Sequence, residues 1–424
     1  MKYFGTDGIR GIVGKNLDVK LIKKIARGLV RFYNKNKIGK VLLVGNDSRI
    51  SSDFILSNIE AILLNYGIQI DNIGVCSSPC LAHICKKFNY PLAMMISASH
   101  NSSEYNGIKF FNSNGEKITE QTELNLEKFM DSKISLGKKS FALRKNVSYL
   151  KDYYISYLKE IKHFDFPIIL DCAYGGASEI CKHLFEKSKI IHSNYNGYNI
   201  NSNSGCTNID FLRSICIKEH RLGLAFDGDA DRIKIVDEKG NIISGDQILY
   251  ILSKFYLKAN DDIVGTIYSN AGLEKSLERR NIHLMRAKVG DKNVYEMMKK
   301  TNSILGGEDA GHIIIKPYQN TGDGVLIGIL ICNILNITKL KLSDLLKDYS
   351  EYFQAHANVQ INKEFKLNKD INLLIKKYEH DGAKIIIRPS GTEPVIRIMV
   401  EHENKSIATD ILEKLKTYIN HHCL

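Results

Sequence analysis

Residues 222–244 read LGLAFDGDADRIKIVDEKGNIIS: an apolar run, an acidic turn, a second apolar run and a Lys-Gly-Asn turn. The two apolar runs are typical of strands joined through tight turns. Upstream, strand-like runs pass through Gly, Asp or Ser turns into helix-like segments, as in PIILDCAYGGA–SEICKHLFEKS at 167–188 and KVLLVGNDSRISS–DFILSNIEAILLNYG at 40–67. The cycle restarts downstream with DIVGTIYSNAG at 262–272. This alternation predicts α/β layers.

We predict three consecutive α/β mixed-sheet domains and a smaller C-terminal α+β domain around a central cleft. The polar stretch 133–145 and the region after Lys347 are candidate domain boundaries. The predicted boundaries are 1–150 for a serine-bearing domain, 151–247 for a metal-binding domain, 248–353 for a sugar-recognition domain and 354–424 for a phosphate-binding domain.

Composition narrows the class of protein. The 424 residues are 44% hydrophobic and 25% charged, as in folded globular chains. The longest apolar run, 325–335, is about half the ~20 residues that cross a bilayer, and the N-terminus lacks the apolar core of a secretory signal. Nine cysteines form no CxxC pair, which favours buried thiols over zinc. We therefore expect a cytoplasmic protein without a membrane segment.

The formal net charge of +12 is compatible with nucleic acid or with small phosphorylated ligands. Lysines are spread along the whole chain in short pairs, and there is no aromatic RNA-binding strand, zinc finger or long basic arm. The sequence therefore predicts no nucleic-acid partner.

The acidic turn carries the strongest chemical signal. Asp227, Asp229 and Asp231 alternate along the chain after a strand, so they project in one direction and offer hard oxygen ligands for Mg²⁺. Such carboxylates repel one another unless they meet a cation or a basic partner, and Arg232 alone supplies too little charge. An EF-hand is rejected because its sixth position is Arg232 rather than Gly and the flanks are strands.

Three other loops carry candidate residues. MMISASHNSSEYNGIKFF at 94–111 places Ser99 at a strand end and Lys109 on the next strand. ILGGEDAGHIIIKP at 304–317 is a Gly-rich turn suited to bonding a polyhydroxyl ligand. IIIRPSGTEPVIRIMVE at 385–401 combines a potential anion nest with two arginines that can bind phosphate in bidentate fashion. Together the four loops indicate phosphoryl transfer on a sugar phosphate.

Motifs along nearly the whole chain also resemble those of the α-D-phosphohexomutases: FGTDGIRG, ISASHN, AFDGDADR, GDQILY, AKVGD, TGDG and RPSGTEPVIR, in that order. The resemblance implies a four-domain isomerase that interconverts glucosamine 6-phosphate and glucosamine 1-phosphate, on the bacterial route to UDP-N-acetylglucosamine. It further implies a phosphoserine at Ser99, one Mg²⁺ and a sugar 1,6-bisphosphate as activator and intermediate. A homodimer is left open.

The resemblance also assigns site residues. The metal ligands would be Ser99, Asp227, Asp229 and Asp231. The reacting end would contain Arg10, His100, Lys109 and Arg232, with Lys109 a candidate for proton transfer. The substrate would be held by Glu308, His312, Arg388, Ser390, Gly391, Thr392 and Arg397.

Some positions depart from the family pattern. Ser102 follows Asn101 where the family has proline, and Ala310 replaces a sugar-binding serine in the Gly-rich turn. Ser97, where many relatives have threonine, favours glucosamine phosphate. The alternatives are a mutase for mannose or glucose phosphates, a member that binds sugar phosphates without catalysis, and a polyanion-binding protein.

Overall fold

The computed structural model describes residues 1–360, 369–389 and 395–422. It divides into two compact units. One comprises Met1–Tyr268 with Leu284–Leu346, and the other comprises Ser269–His283 with Lys347–Leu424. The described residues form four β-sheets, three in the first unit and one in the second. The predicted class, mixed α/β sheets in several domains, is confirmed.

The first sheet has six strands in the order β1-β5-β4-β2-β3-β6. Its elements are β1 (Ile9–Ile12), α1 (Val19–Asn36), β2 (Val41–Asn46), α2 (Ser51–Leu63), β3 (Gln69–Val75), α3 (Ser78–Lys87), β4 (Leu92–Ile96), β5 (Tyr105–Asn112), α4 (Glu120–Asp131) and β6 (Arg144–Asn146). β4 lies parallel to β2 but antiparallel to β5, and Met95 on β4 faces Lys109 on β5. This reversal brings Lys109 back towards the carboxyl end of β4, where Ser99 follows.

The second sheet has five strands in the order β11-β10-β9-β7-β8. Its section of chain contains α5 (Lys151–Ile161), β7 (Ile169–Asp171), α6 (Ala177–Leu184), β8 (Lys189–Ile191), α7 (Asp210–Glu219), β9 (Gly223–Phe226), β10 (Ile233–Val236), β11 (Ile242–Ile243) and α8 (Gly245–Tyr256). β9 and β10 pair antiparallel, with Phe226 opposite Ile233. The acidic turn is therefore the loop that joins two adjacent buried strands.

The third sheet has four strands in the order β13-β12-β14-β15. The stretch of chain 262–345 contains β12 (Asp262–Thr266), α9 (Ala271–Glu278), β13 (His283–Ala287), α10 (Asp291–Thr301), β14 (Leu305–Gly307), β15 (Ile313–Ile315), α11 (Gly324–Thr338) and α12 (Leu342–Leu345). The apolar run at 325–335 forms most of α11, which is buried from Gly324 to Ile334. Asp323 caps α11 by accepting a 3.0 Å hydrogen bond from the Leu326 N–H. No helix in the described ranges is both long and apolar enough to cross a membrane.

The second unit contains a three-stranded antiparallel sheet in the order β16-β18-β17. Its elements are β16 (Phe353–Gln360), α13 (Lys369–His380), β17 (Lys384–Pro389), β18 (Val395–His402) and α14 (Lys405–His422). α9 belongs to this unit, since the buried Glu401 carboxylate accepts a 2.8 Å hydrogen bond from the Ala271 N–H at the start of α9. Ile371, Ile398 and Leu415 lie in the core between the helices and the sheet.

Candidate active site

Ser99 lies in the turn that follows β4. Its φ is +51°, in the left-handed region that residues other than glycine seldom adopt. The side chain is buried, and Ser99 Oγ donates a 2.6 Å hydrogen bond to Asp227 Oδ2. The structure thus brings the serine expected to carry phosphate into contact with one of the expected metal ligands, across two sheets.

The three aspartates of the acidic turn are all buried. One carboxylate oxygen from each lies within 4.8 Å of the others. Within the described residues, Asp229 Oδ1 and Asp231 Oδ1 have no hydrogen-bond donor. Burial, followed by repulsion from Asp231 and Asp229, raises the pKa of Asp227 well above its usual range. Unpartnered, crowded oxygens of this kind fit a divalent cation such as Mg²⁺.

Lys109 supplies a positive charge to this turn. Its Nζ lies 2.8 Å from Asp229 Oδ2, 2.8 Å from Asp7 Oδ2 and 3.4 Å from Asp231 Oδ2. Burial alone would lower the pKa of Lys109, but the carboxylates of Asp229, Asp7 and Asp231 outweigh burial and raise it well above its usual range. Lys109 is therefore an ammonium in this arrangement. Its role in proton transfer stays a prediction.

Arg232 follows the aspartates directly. Its backbone N–H donates a 3.2 Å hydrogen bond to Asp227 Oδ1, and its Nε lies 4.0 Å from Asp231 Oδ1. Burial would lower the pKa of Arg232, but the attraction of Asp231 and Asp227 raises it. Arg232 therefore adds a second fixed positive charge beside the acidic turn.

Arg10 and His100 flank the Ser99 turn. Arg10 donates a 3.0 Å hydrogen bond to Asn101 Oδ1 and also pairs with Asp7. His100 Nδ1 lies 3.4 Å from Ser99 Oγ. Burial, followed by repulsion from Arg232 and Arg10, lowers the pKa of His100 to about 4. His100 is thus a neutral imidazole at neutral pH, able to donate or accept one hydrogen bond at Ser99.

The Gly-rich turn at 304–317 joins β14 to β15. Glu308 is partly buried and its Oε1 accepts a 2.9 Å hydrogen bond from the Gly290 N–H. His312 is buried, with Nε2 3.5 Å from Asp291 Oδ2 and 3.9 Å from Asp231 Oδ2. Neither ring nitrogen of His312 has a hydrogen-bond partner among the described residues. The structure therefore brings His312 towards the acidic turn.

Lys117 and Asp291 were not singled out from the sequence, yet both are part of the site. Lys117 Nζ lies 2.6 Å from Asp7 Oδ1, pairs with Asp291 and is 3.9 Å from Asp231 Oδ2. Asp7 and Asp291 stand in the motifs FGTDGIRG and AKVGD, which could have drawn attention to them. Lys117 stands in no motif, because its role depends on contacts between distant segments of the chain.

The predicted phosphate loop lies in the second unit. Arg388 on β17 is directly opposite Arg397 on β18 in the antiparallel register. Ser390, Gly391 and Thr392 lie outside the described residues. The two arginines are thus adjacent on one sheet, and their role in holding phosphate stays a prediction.

Comparisons with known proteins agree with the motifs. Three models of the phosphoglucomutase/phosphomannomutase family match the chain: alpha/beta/alpha domain I at residues 1–136, alpha/beta/alpha domain III at 244–352 and the C-terminal domain at 339–417. A phosphoglucosamine mutase of Staphylococcus saprophyticus is 38% identical, covering 94% of each chain. One of Anoxybacillus flavithermus is 37% identical, covering 99% of this chain and 98% of the relative.

The fold also matches solved structures. A phosphoglucomutase/phosphomannomutase family protein from Burkholderia thailandensis superposes with a TM-score of 0.81 at 20% identity, covering 99% of this chain and 97% of the other. A phosphomannomutase-like structure from Thermus thermophilus gives a TM-score of 0.80 at 19% identity, covering 98% of each chain.

Proposed function

This chain belongs to the phosphoglucomutase/phosphomannomutase family, and from that premise we propose that it interconverts glucosamine 6-phosphate and glucosamine 1-phosphate on the route to UDP-N-acetylglucosamine. The observation that most directly supports this proposal is the 2.6 Å hydrogen bond between Ser99 Oγ and Asp227 Oδ2, at a buried group of three carboxylates. The relatives named phosphoglucosamine mutase support the choice of sugar, since they match over nearly the full chain.

The reaction we propose starts from phosphorylated Ser99. The phosphorus–oxygen bond to Ser99 Oγ breaks as a bond forms to the free hydroxyl of the sugar phosphate, which gives a 1,6-bisphosphate. The bisphosphate then reorients, and its other phosphate returns to Ser99. The hydroxyl that accepts phosphate loses a proton and Ser99 Oγ gains one. Lys109 is our candidate for handling this proton.

The metal we propose at the acidic turn is one Mg²⁺, held by Asp227, Asp229, Asp231 and an oxygen of phosphorylated Ser99. When bound, the ion offsets negative charge on the phosphoryl group that is transferred. The chain itself contributes fixed positive charge from Lys109 and Arg232 beside the acidic turn. These charges would stabilise the transferring group whichever sugar oxygen it reaches.

Other residues would bind and orient the sugar phosphate. We propose that Glu308 and His312 bond the sugar, and that the phosphate not undergoing transfer is held by Arg388, Arg397, Ser390, Gly391 and Thr392. We further propose a cytoplasmic location. The eight cysteines in the described part of the chain are free, buried thiols, which is the usage typical of a reducing compartment.

The test is turnover by the purified protein with Mg²⁺ and a sugar 1,6-bisphosphate on glucosamine, glucose and mannose phosphates. We expect glucosamine phosphate to be the best substrate, Ser99→Ala to be nearly inactive and EDTA to abolish activity until Mg²⁺ is restored. Ser103→Ala, on the same loop, is the matched control and should keep activity. Faster turnover of mannose or glucose phosphate would overturn the substrate, and full activity in Ser99→Ala would overturn the mechanism.

A further inference from the structure

The turn that holds Ser99 needs external support. A residue other than glycine at φ +51° is in a strained conformation that persists only when its surroundings hold it there. The next residues add little of their own restraint, because Ser102 is exposed and has no ring to fix its φ.

Arg49 provides that support from the loop after β2. It is one of the largest fully buried side chains of the protein. Its Nη2 donates to Ser99 O at 3.0 Å and to Asn101 O at 2.7 Å, while Nη1 donates to Tyr105 O at 3.0 Å and also to Ser102 O. One planar guanidinium thus bonds four carbonyls of residues 99–105, which we call the serine loop.

The fifth guanidinium donor, Arg49 Nε, is linked through Asp47 and Ser97 to the backbone N–H of Ser99. Arg49 Nε donates to Asp47 Oδ2 at 3.0 Å, and Asp47 Oδ2 also accepts a 2.6 Å hydrogen bond from Ser97 Oγ. Ser97 Oγ in turn accepts a 2.9 Å hydrogen bond from the Ser99 N–H. All five N–H donors of Arg49 are therefore used, and both backbone groups of Ser99 are fixed.

Asn201 holds two of these carbonyls from the second sheet's section of the chain. Its Nδ2 donates to Ser99 O at 2.8 Å and to Asn101 O at 2.9 Å. The serine loop is therefore clamped by donors from two separate segments.

We propose that Arg49, assisted by Asn201, is a positioning residue that fixes the direction of Ser99 Oγ for phosphoryl transfer. The inference rests on the proposed function for its effect on rate, but not for its effect on the loop. Phosphoryl transfer depends on in-line geometry, so a small displacement of Ser99 should slow the reaction without weakening the binding of the sugar phosphate.

The experiment compares Arg49→Lys and Asn201→Asp with Arg27→Lys, a substitution at an exposed arginine on α1. Lysine keeps the charge but cannot bond four carbonyls, and aspartate replaces a donor by an acceptor facing two carbonyl oxygens. We expect kcat on glucosamine 6-phosphate to fall roughly 10–100-fold in both loop variants, with KM within about threefold of wild type. Hydrogen exchange across residues 97–106 should become faster in both, and Arg27→Lys should match wild type.

Unchanged exchange and kcat in folded variants would overturn the proposal, and so would a raised KM at constant kcat. If Arg49→Lys does not fold, Asn201→Asp decides, because Asn201 is only partly buried. Exchange requires no substrate. A wild-type protein inactive on every sugar phosphate would therefore remove the proposed function, while the exchange comparison would still decide whether Arg49 holds the loop.

Discussion

Charge balance explains why three aspartates can share one buried turn. Burial would raise the pKa of Asp231, but Lys109, His312 and Lys117 outweigh burial and lower it to about 2. Arg232 is the basic residue that directly follows the aspartates, whereas Lys109 comes from another sheet. The sequence could therefore predict that these acids need a cation, but not that a lysine more than a hundred positions away partly meets that need.

Ala310 gives a prediction for substrate affinity. It is exposed in the turn between β14 and β15, where the family pattern has a serine. Ala310→Ser should add one neutral hydrogen bond to the sugar, about 0.5–1.5 kcal/mol, and so lower KM for glucosamine 6-phosphate about two- to tenfold. Steady-state kinetics will test this, with Ala310→Gly as the control that adds no hydroxyl. An unchanged KM in Ala310→Ser would show that this turn does not bond the sugar.

His83 gives a prediction for pH dependence. It stacks on Tyr157, with ring centroids 4.5 Å apart, and burial followed by repulsion from Lys87 and Lys86 lowers its pKa to about 4. The unfolded chain, with a histidine pKa near 6.5, binds more protons between pH 6.5 and 4. Stability should therefore decrease as the pH is lowered from 6.5 to 4, and at pH 5 the loss should be about 1–2 kcal/mol.

His83→Phe keeps the ring and removes the titration. We expect the decrease in Tm from pH 7 to pH 5 to be smaller in His83→Phe than in wild type. Equal decreases in the two proteins would mean that His83 does not contribute to the acid sensitivity.

At the level of elements, the site depends on loops that approach one another closely. A Cβ on Gly228 would lie 2.6 Å from Ser99 O, and one on Gly175 would lie 2.2 Å from Gly228 O. Gly228 thus allows backbones from two sheets to meet, and Gly175 allows two turns of the second sheet to meet. A side chain at Gly228 would push the Ser99 turn away from the acidic turn.

Gly228→Ala should therefore lower both kcat and stability, because the added methyl group meets a backbone oxygen that cannot move aside. Gly39→Ala is the control, since its Cβ would lie at an ordinary contact distance of 3.8 Å from Pro91 Cγ. The measurements are Tm and turnover for both variants. Wild-type values in Gly228→Ala would mean that the loops can separate without loss.

The same elements show what the sequence could predict. Apolar runs ending in polar turns correctly placed β4 before Ser99 and the β9–β10 pair around the acidic turn. The strand order β1-β5-β4-β2 was not predictable, because β5 inserts antiparallel into an otherwise parallel arrangement through pairing of distant segments. Arg49 was missed for the same reason, since its acceptors are backbone carbonyls and these leave no pattern in the sequence.

At the scale of the first unit, Lys117 links its sheets. It lies between β5 and α4, and it pairs with Asp7 from the N-terminal segment and with Asp291 at the start of α10. The side chain is 8% exposed, and its removal would leave the buried Asp291 carboxylate without this lysine, whereas Asp7 would keep Lys109 and Arg10. Breaking a buried pair in this way typically costs about 3–5 kcal/mol.

We therefore expect Lys117→Met to lower the free energy of unfolding by several kcal/mol. Lys182→Met is the control, because Lys182 and Glu179 form a solvent-exposed pair that should contribute less than about 1 kcal/mol. Thermal melts of both variants will measure the difference. Similar Tm values in the two variants would argue against Lys117 as a link between sheets.

The buried thiols have a practical consequence for following the motions of this protein. An alkylating reagent can reach a buried cysteine only when the surrounding structure opens, so the rate of labelling reports the free energy of that local opening. Because the thiols are distributed over several elements, peptide mapping of the labelled sites would give an opening energy for each region from one experiment. The natural reporters are Cys76, Cys80, Cys85, Cys172, Cys181, Cys206, Cys216 and Cys332.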